Sequence, residues 1–139
     1  MKKLVLSFLV LIFLFSCGKS EVKQVTEDSK TAKEAFVLIG AIKDAYVKRD
    51  MKAIEGLTTR DGYRTVLGAM KSFDSAELAF NPIFVEIDGE TVNVNVSWKG
   101  AWKKDGKTID ERGMAIFVLK ERPLKVQNIL RANPFRFPE

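Results

Sequence analysis

The feature that most constrains the fold of this chain is a change in the spacing of its apolar residues after Phe73. Before that point apolar residues recur every three or four positions, which is the period of an amphipathic helix. After it they recur every second position, which is typical of a strand with one buried face. Helices followed by strands predict an α+β fold, in which N-terminal helices pack on a curved four-stranded antiparallel sheet.

Three helices are predicted. Thr31 and Glu34 have the spacing of a capping box, which places the start of the first helix at Thr31. Asp50 and Asp61 are predicted to cap a second and a third helix. The apolar stripe of the first helix is Ala32, Ala35, Phe36, Ile39, Ile42 and Tyr46. The stripe of the third is Tyr63, Val66, Leu67, Met70 and Phe73.

Four strands are predicted, at residues 78–87, 92–99, 109–120 and 124–130. Asn81-Pro82 indicates a bulge or an edge position, because proline cannot donate a ladder hydrogen bond. Gly100 is expected to bulge the second strand. Met114–Leu119 is apolar at every position, which favours a central place in the sheet. In the fourth strand the alternating residues are Leu124, Val126, Asn128 and Leu130, and the apolar faces of the strands are expected to pack on the first helix.

The N-terminus has the pattern of a secretory signal peptide. Lys2 and Lys3 precede a mostly apolar run, Leu4–Phe15, and the small residue Ser16 follows it. A transmembrane helix would need about 20 apolar residues, and this run is shorter. We therefore expect residues 1–16 to be removed.

Leu14-Phe15-Ser16-Cys17 resembles the lipobox of bacterial lipoproteins. The resemblance implies cleavage before Cys17, diacylglycerol on its sulfur and an acyl chain on the new amine, which together anchor a protein stably to a membrane. It also accounts for a single cysteine in an exported chain. Gly18 stands where an Asp often retains lipoproteins at the inner membrane. The expected location is the cell envelope, at the outer membrane facing the periplasm in a bacterium with two membranes.

The expected organisation is a signal peptide at 1–16, the lipidated Cys17 with a flexible tether at 17–30, and one domain at 31–139. Loss of residues 1–16 removes two lysines, so the formal charge falls from +5 to +3. No basic run is dense enough to predict nucleic-acid binding.

The order of elements resembles the NTF2-like, or cystatin-like, superfamily, and the best local match is the stretch 41–54. The resemblance spans roughly residues 31–133 and implies a sheet that curls around the first helix. Members include isomerases, dehydratases, transport factors and small exported lipoproteins of no known activity. The ketosteroid isomerase branch has a catalytic Tyr about two turns before the Asp that ends the helix. Here that position is Ile42, while Tyr46 lies one turn before Asp50, so no catalytic residue carries over.

The chain contains no histidine, which excludes Ser-His-Asp and Cys-His nucleophile systems and nearly all zinc sites. It has no glycine-rich phosphate loop. Asp44 and the run Asp110-Glu111-Arg112 are interpreted as solvated surface residues. We predict no catalytic residue, no cofactor and no metal.

Aromatic residues are the candidate ligand-binding set, because a largely apolar pocket is the usual site for a small ligand. The alternative is that they simply fill the core. The tail aromatics Phe135 and Phe137 either cover the open end of the core or contact a partner. The candidate pocket residues are Trp98, Trp102, Tyr46, Tyr63, Phe80 and Phe117, with Phe84 as a further neighbour.

Three functions remain open. The leading hypothesis is a membrane-anchored, non-catalytic module that binds an apolar small ligand in the domain or a protein partner on the open sheet face. The second is an isomerase or dehydratase that uses an Asp or a Tyr. The third is a structural envelope lipoprotein that forms a homodimer through its sheet.

Overall fold

The computed structural model describes residues 25–138, so the predicted signal peptide and Cys17 lie outside the described residues. Three helices are followed by four strands. They are α1 (Glu27–Lys48), α2 (Met51–Leu57), α3 (Arg60–Ala69), β1 (Ser75–Asp88), β2 (Thr91–Lys104), β3 (Lys107–Lys120) and β4 (Lys125–Arg131). The strands form one antiparallel meander in the order β1-β2-β3-β4. The predicted α+β class, the four-stranded sheet and the central place of the third strand are confirmed. In the range 25–138, no helix is both long and apolar enough to cross a membrane.

Helix α1 starts earlier than predicted. Its N-cap is Thr26, whose hydroxyl accepts a hydrogen bond from the Ser29 amide. The carboxylates of Glu27 and Asp28 in the first turn stabilise the helix by interacting with the positive end of its dipole. Residues 27–30, expected in the tether, are therefore helical. The predicted capping box at Thr31 is wrong, because Glu34 Oε1 instead accepts a 2.7 Å hydrogen bond from the Leu124 amide.

The buried face of α1 differs from the prediction at one position. Phe36 is 41% exposed, and Leu38 takes its place in the core. Positions 35, 38, 39 and 42 lie on one side of a helix with 3.6 residues per turn, and position 36 is rotated away from it. The helix ends at Arg49, which adopts the left-handed conformation with φ 56°. Asp50 then caps α2 by accepting from the Ala53 amide at 3.0 Å, as predicted.

Helix α3 is capped by Thr59 rather than by Asp61. The Thr59 hydroxyl accepts from the Gly62 amide, and the Thr59 amide donates to the Val126 carbonyl oxygen. A Cβ at Gly62 would lie 1.9 Å from that oxygen, so only glycine permits this approach. The contact fixes the first turn of α3 against the edge of β4.

Two bulges set which residues face inward. The register of β1 against β2 shifts between Pro82 and Phe84, which confirms the predicted irregularity. The register of β3 against β4 shifts so that Leu119 pairs with Val126 while Val118 pairs with Asn128. The extra residue in β4 turns Ile129 inward, and Leu130 is 44% exposed. The prediction that Leu130 faces the core is wrong for this reason.

The expected bulge at Gly100 is also wrong, because the register of β2 runs through it without a shift on either side. Glycine is required there by packing. A Cβ at Gly100 would lie 2.3 Å from the Trp102 ring and 2.7 Å from the Leu78 side chain. Gly113 on β3 likewise leaves room for the Trp98 ring, because a Cβ at Gly113 would lie 2.9 Å from that indole. Glycine at these two positions therefore lets the Trp98 and Trp102 rings pack close to the backbone of the sheet.

Candidate functional site

A buried hydrogen bond joins the first helix to the sheet. Tyr46 on α1 and Trp102 on β2 are both 0% exposed, and the Trp102 indole Nε1–H donates to the Tyr46 hydroxyl at 2.9 Å. Burial raises the pKa of Tyr46, because it disfavours the phenolate, and the hydrogen bond from Trp102 partly opposes this rise. Each polar atom satisfies the other inside the core, as buried polar groups generally must be satisfied.

The tail supplies the centre of the aromatic core. Phe135 is fully buried, and its ring centroid lies 4.9 Å from that of Tyr46 and 6.1 Å from those of Phe80 and Phe117. Phe80 and Phe117 are themselves 5.7 Å apart. These rings lie between α1 and the sheet, where the sequence left open either a ligand cavity or a filled core. Phe135 and the 7% exposed Phe137 cover the end of the core, which confirms one of the two roles predicted for the tail.

The remaining candidates sit around this cluster. Trp98 contacts Trp102 edge to face at 6.4 Å, and its indole N–H donates to the Ala132 carbonyl oxygen at 2.9 Å. Tyr63 is partly buried on α3 and packs against the edge of the core. Phe84 does not join the set, because it is 54% exposed on the opposite face of the sheet. The six candidate residues therefore pack in or against one core. The indole N–H groups of Trp98 and Trp102 both donate to acceptors within the protein.

The charged residues weighed as possible catalysts lie on the surface. Asp44 is exposed and forms a 3.2 Å ion pair with Lys43. Asp110, Glu111 and Arg112 are exposed on β3. Among residues 25–138 the side chains classed as buried and polar are Thr58 and Asn95, so the described interior holds no carboxylate. That same part of the chain contains no group of three or more acidic, Cys or His side chains placed to hold a metal.

The outer face of the sheet, which points away from the helices, carries an apolar row that sequence analysis did not identify. Cross-strand register aligns Phe84, Asn95, Ile116 and Leu130, one from each strand in order. Phe84 and Leu130 are exposed, whereas Asn95 between them is only 8% exposed. Met114, two positions from Ile116 on β3, is 39% exposed on the same face. We call Phe84, Asn95, Met114, Ile116 and Leu130 the outer patch.

The same sheet carries a charged groove of about 760 Å³ beyond the outer patch. Lys99 and Arg112 are direct cross-strand partners there, and Ala101 pairs with both Glu77 and Asp110 in the neighbouring row. The outer face is therefore apolar in its middle and charged toward the β2–β3 turn.

The fold matches solved structures, although no family profile and no curated protein sequence matches the chain. A nuclear transport factor 2 (NTF2-like) superfamily protein from Salmonella enterica subsp. enterica serovar Typhimurium is 15% identical, with a TM-score of 0.62 over 77% of this chain and 93% of that one. A candidate aromatic ring hydroxylase from Novosphingobium aromaticivorans is 16% identical, with a TM-score of 0.59 over 72% of this chain and 86% of its own. A function unknown protein from Mycobacterium tuberculosis is 10% identical, with a TM-score of 0.58 over 74% and 71%. The chain has the NTF2-like fold.

Proposed function

We propose that this chain is a lipid-anchored, non-catalytic interaction module of the bacterial cell envelope, and that its outer patch binds a second copy of the chain. The observation that carries the proposal is the contrast between the two faces of the sheet. The inner face is packed with aromatic rings, and the tail residue Phe135 lies at their centre. The outer face exposes Phe84, Met114 and Leu130 together, and an exposed apolar cluster of this kind marks a binding surface.

The absence of a carboxylate from the described interior supports a non-catalytic role. An isomerase or dehydratase of the kind considered above needs a base beside a substrate cavity. The buried titratable side chain at the centre of this core, Tyr46, accepts a hydrogen bond from Trp102 and is surrounded by rings. We therefore favour binding over catalysis.

A second copy is the partner that the geometry of the outer patch fits best. The row of Phe84, Asn95, Ile116 and Leu130 crosses all four strands of the sheet. A two-fold axis through the middle of this row would cover apolar side chains with apolar side chains, as an isologous interface requires. The first three strands have fourteen residues each. With about 3.3 Å per residue and about 4.8 Å between strands, their whole outer face, its charged part included, covers roughly 700 Å². A standard stable interface buries about 800 Å² per partner, so a second copy has to contact the charged part as well as the outer patch.

Membrane anchoring rests on the sequence. The charged start, the short apolar run and the lipobox-like Leu14-Phe15-Ser16-Cys17 together support export and lipidation at Cys17. Two or more acyl chains hold a protein on a membrane. Anchoring confines the copies to one surface and so raises the local concentration at which they meet.

Chemical crosslinking of the full chain in isolated membranes tests the proposal, with two matched variants. Phe84→Glu places a carboxylate in the outer patch on both sides of the two-fold axis, and Val37→Glu makes the same kind of change on α1, where Val37 is 73% exposed. The expected result is a crosslinked dimer for the parent chain and for Val37→Glu, and a monomer for Phe84→Glu. A monomeric parent chain would contradict the second-copy proposal. If the parent chain instead crosslinks to a different envelope protein and Phe84→Glu abolishes that crosslink, the outer patch is a binding surface but its partner is not a second copy.

A further inference from the structure

A second surface feature lies at the opposite side of the sheet, where the tail closes the core. It is a cleft of about 440 Å³ between α3, the middle of β2, the first half of β3, and the end of β4 with the segment that follows it. Its walls come from Thr65, Gly68 and Ala69 on one side and from Trp98, Glu111, Arg131, Ala132, Asn133 and Arg136 on the other. None of these residues belongs to the outer patch.

The tail wall of the cleft is held rigidly. The Ala132 carbonyl oxygen accepts from the Trp98 indole, and the Ala132 amide donates to the Met114 carbonyl oxygen. Asn133 Oδ1 accepts from the Phe135 amide at 2.9 Å, which forms a turn, and the buried Phe135 ring anchors that turn in the core. Arg131 stands at the start of this segment with φ 65°, a conformation that non-glycine residues seldom adopt. The backbone that presents the cleft side chains is therefore fixed before any ligand arrives.

The charges in the cleft favour an anion. Two arginines, Arg131 and Arg136, line the cleft together with one acidic residue, Glu111. In the described part of the chain none of the three takes part in an ion pair within 4 Å. An adjoining cleft of about 260 Å³ is also lined by Glu111 and Arg136, so both charges border open space. Guanidinium groups bind carboxylates through paired, charge-assisted hydrogen bonds.

The helix side of the cleft leaves room for the rest of a ligand. Gly68 lies on α3, and a Cβ placed there would meet nothing within 4 Å. Gly68 and Ala69 line the α3 side of the cleft, and neither has a side chain large enough to fill it. A flat organic body can therefore lie against α3 while its acidic group faces the tail.

We propose that this cleft binds a small organic solute through a carboxylate, with Arg131 and Arg136 as the groups that hold the acid. Two arginines and the single Glu111 leave the cleft with a net charge of +1, which one carboxylate neutralises, so the site favours a monocarboxylate over a polyanion. The site is separate from the outer patch, and it does not depend on the dimer.

Nuclear magnetic resonance of the full chain in detergent micelles tests this directly, because the chain has two tryptophans. The Trp98 indole N–H borders the cleft, while that of Trp102 is buried against Tyr46 and serves as an internal reference. Benzoate is the probe, and benzamide is its neutral control. Benzoate is expected to shift the Trp98 resonance saturably and leave the Trp102 resonance in place, and benzamide is expected to shift neither.

Variants locate the site. Arg131→Gln or Arg136→Gln should weaken benzoate binding by about tenfold or more, since charge-assisted hydrogen bonds are lost. Gly68→Leu should abolish binding by filling the cleft. Gly56→Leu is the matched control, because Gly56 is also helical and unobstructed but lies outside the cleft. An unchanged Trp102 resonance verifies that each variant is folded. The proposal is overturned if benzoate leaves Trp98 unshifted, if benzamide binds equally, or if Gly68→Leu binds as well as Gly56→Leu.

Discussion

Replacing Phe135 with alanine tests the packing of the core. The ring is 0% exposed and contacts the rings of Tyr46, Phe80 and Phe117. Loss of a fully buried Phe side chain forfeits about 1.5–3 kcal/mol of burial. If the surroundings do not collapse, about 100 Å³ of cavity adds about 2.4 kcal/mol. We expect Phe135→Ala to lower the free energy of unfolding by about 4–5 kcal/mol, near the upper end of the range for such changes.

Urea unfolding followed by tryptophan fluorescence measures this loss. Phe36→Ala is the matched control, because it makes the same chemical change at a residue that is 41% exposed on α1, and it should cost less than about 1 kcal/mol. A cavity lined by apolar rings stays dry and can take up benzene, so benzene should restore part of the lost stability of Phe135→Ala alone. A loss of stability for Phe135→Ala no larger than that for Phe36→Ala would mean that the tail does not complete the core.

Three further predictions concern the buried pair and its neighbours. Trp102→Phe leaves the Tyr46 hydroxyl buried without its donor and should cost at least about 1–3 kcal/mol in urea unfolding, and Tyr46→Phe in that background should cost less than it does alone. Because burial raises the pKa of Tyr46 above that of the unfolded chain, its protonated form contributes stability below about pH 10 that is lost as the pH rises through the folded pKa. The urea midpoint should therefore fall more steeply above pH 10 in the parent chain than in Tyr46→Phe, and parallel curves would contradict the shift. Gly100→Ala should cost about 1–3 kcal/mol, because its Cβ meets the Trp102 ring, whereas Gly56→Ala should be neutral or stabilising; equal midpoints for the two variants would be inconsistent with this packing.

The fold was predictable because the two halves of the chain have different apolar periods. Gly89 and Gly106 lie in the turns that join β1 to β2 and β2 to β3, and in each case an Asp-Gly pair marks the turn in the sequence. Both glycines adopt positive φ, which such turns require. Asp50 likewise caps the helix that follows it. Each of these features depends on a few neighbouring residues, and local sequence therefore specifies them.

The errors came from contacts between distant residues. Glu34 was assigned to a local capping box, but its carboxylate accepts from Leu124, ninety positions away in the chain. Leu130 faces outward because β4 contains a bulge that its sequence does not mark. The outer patch was missed for the same reason, since it needs the register of all four strands. The cleft was missed because Arg131 and Arg136 are brought to Trp98 only by the turn at Asn133.

Native mass spectrometry of the full chain, extracted from membranes in mild detergent, tests together whether the core is closed and whether the outer patch joins two copies. We expect a dimer in which each copy has the mass of residues 17–139 plus three acyl chains, with no apolar molecule bound inside. A monomer that retains a co-purified apolar ligand would contradict it, because the interior would then be a binding site and the outer patch would not join two copies.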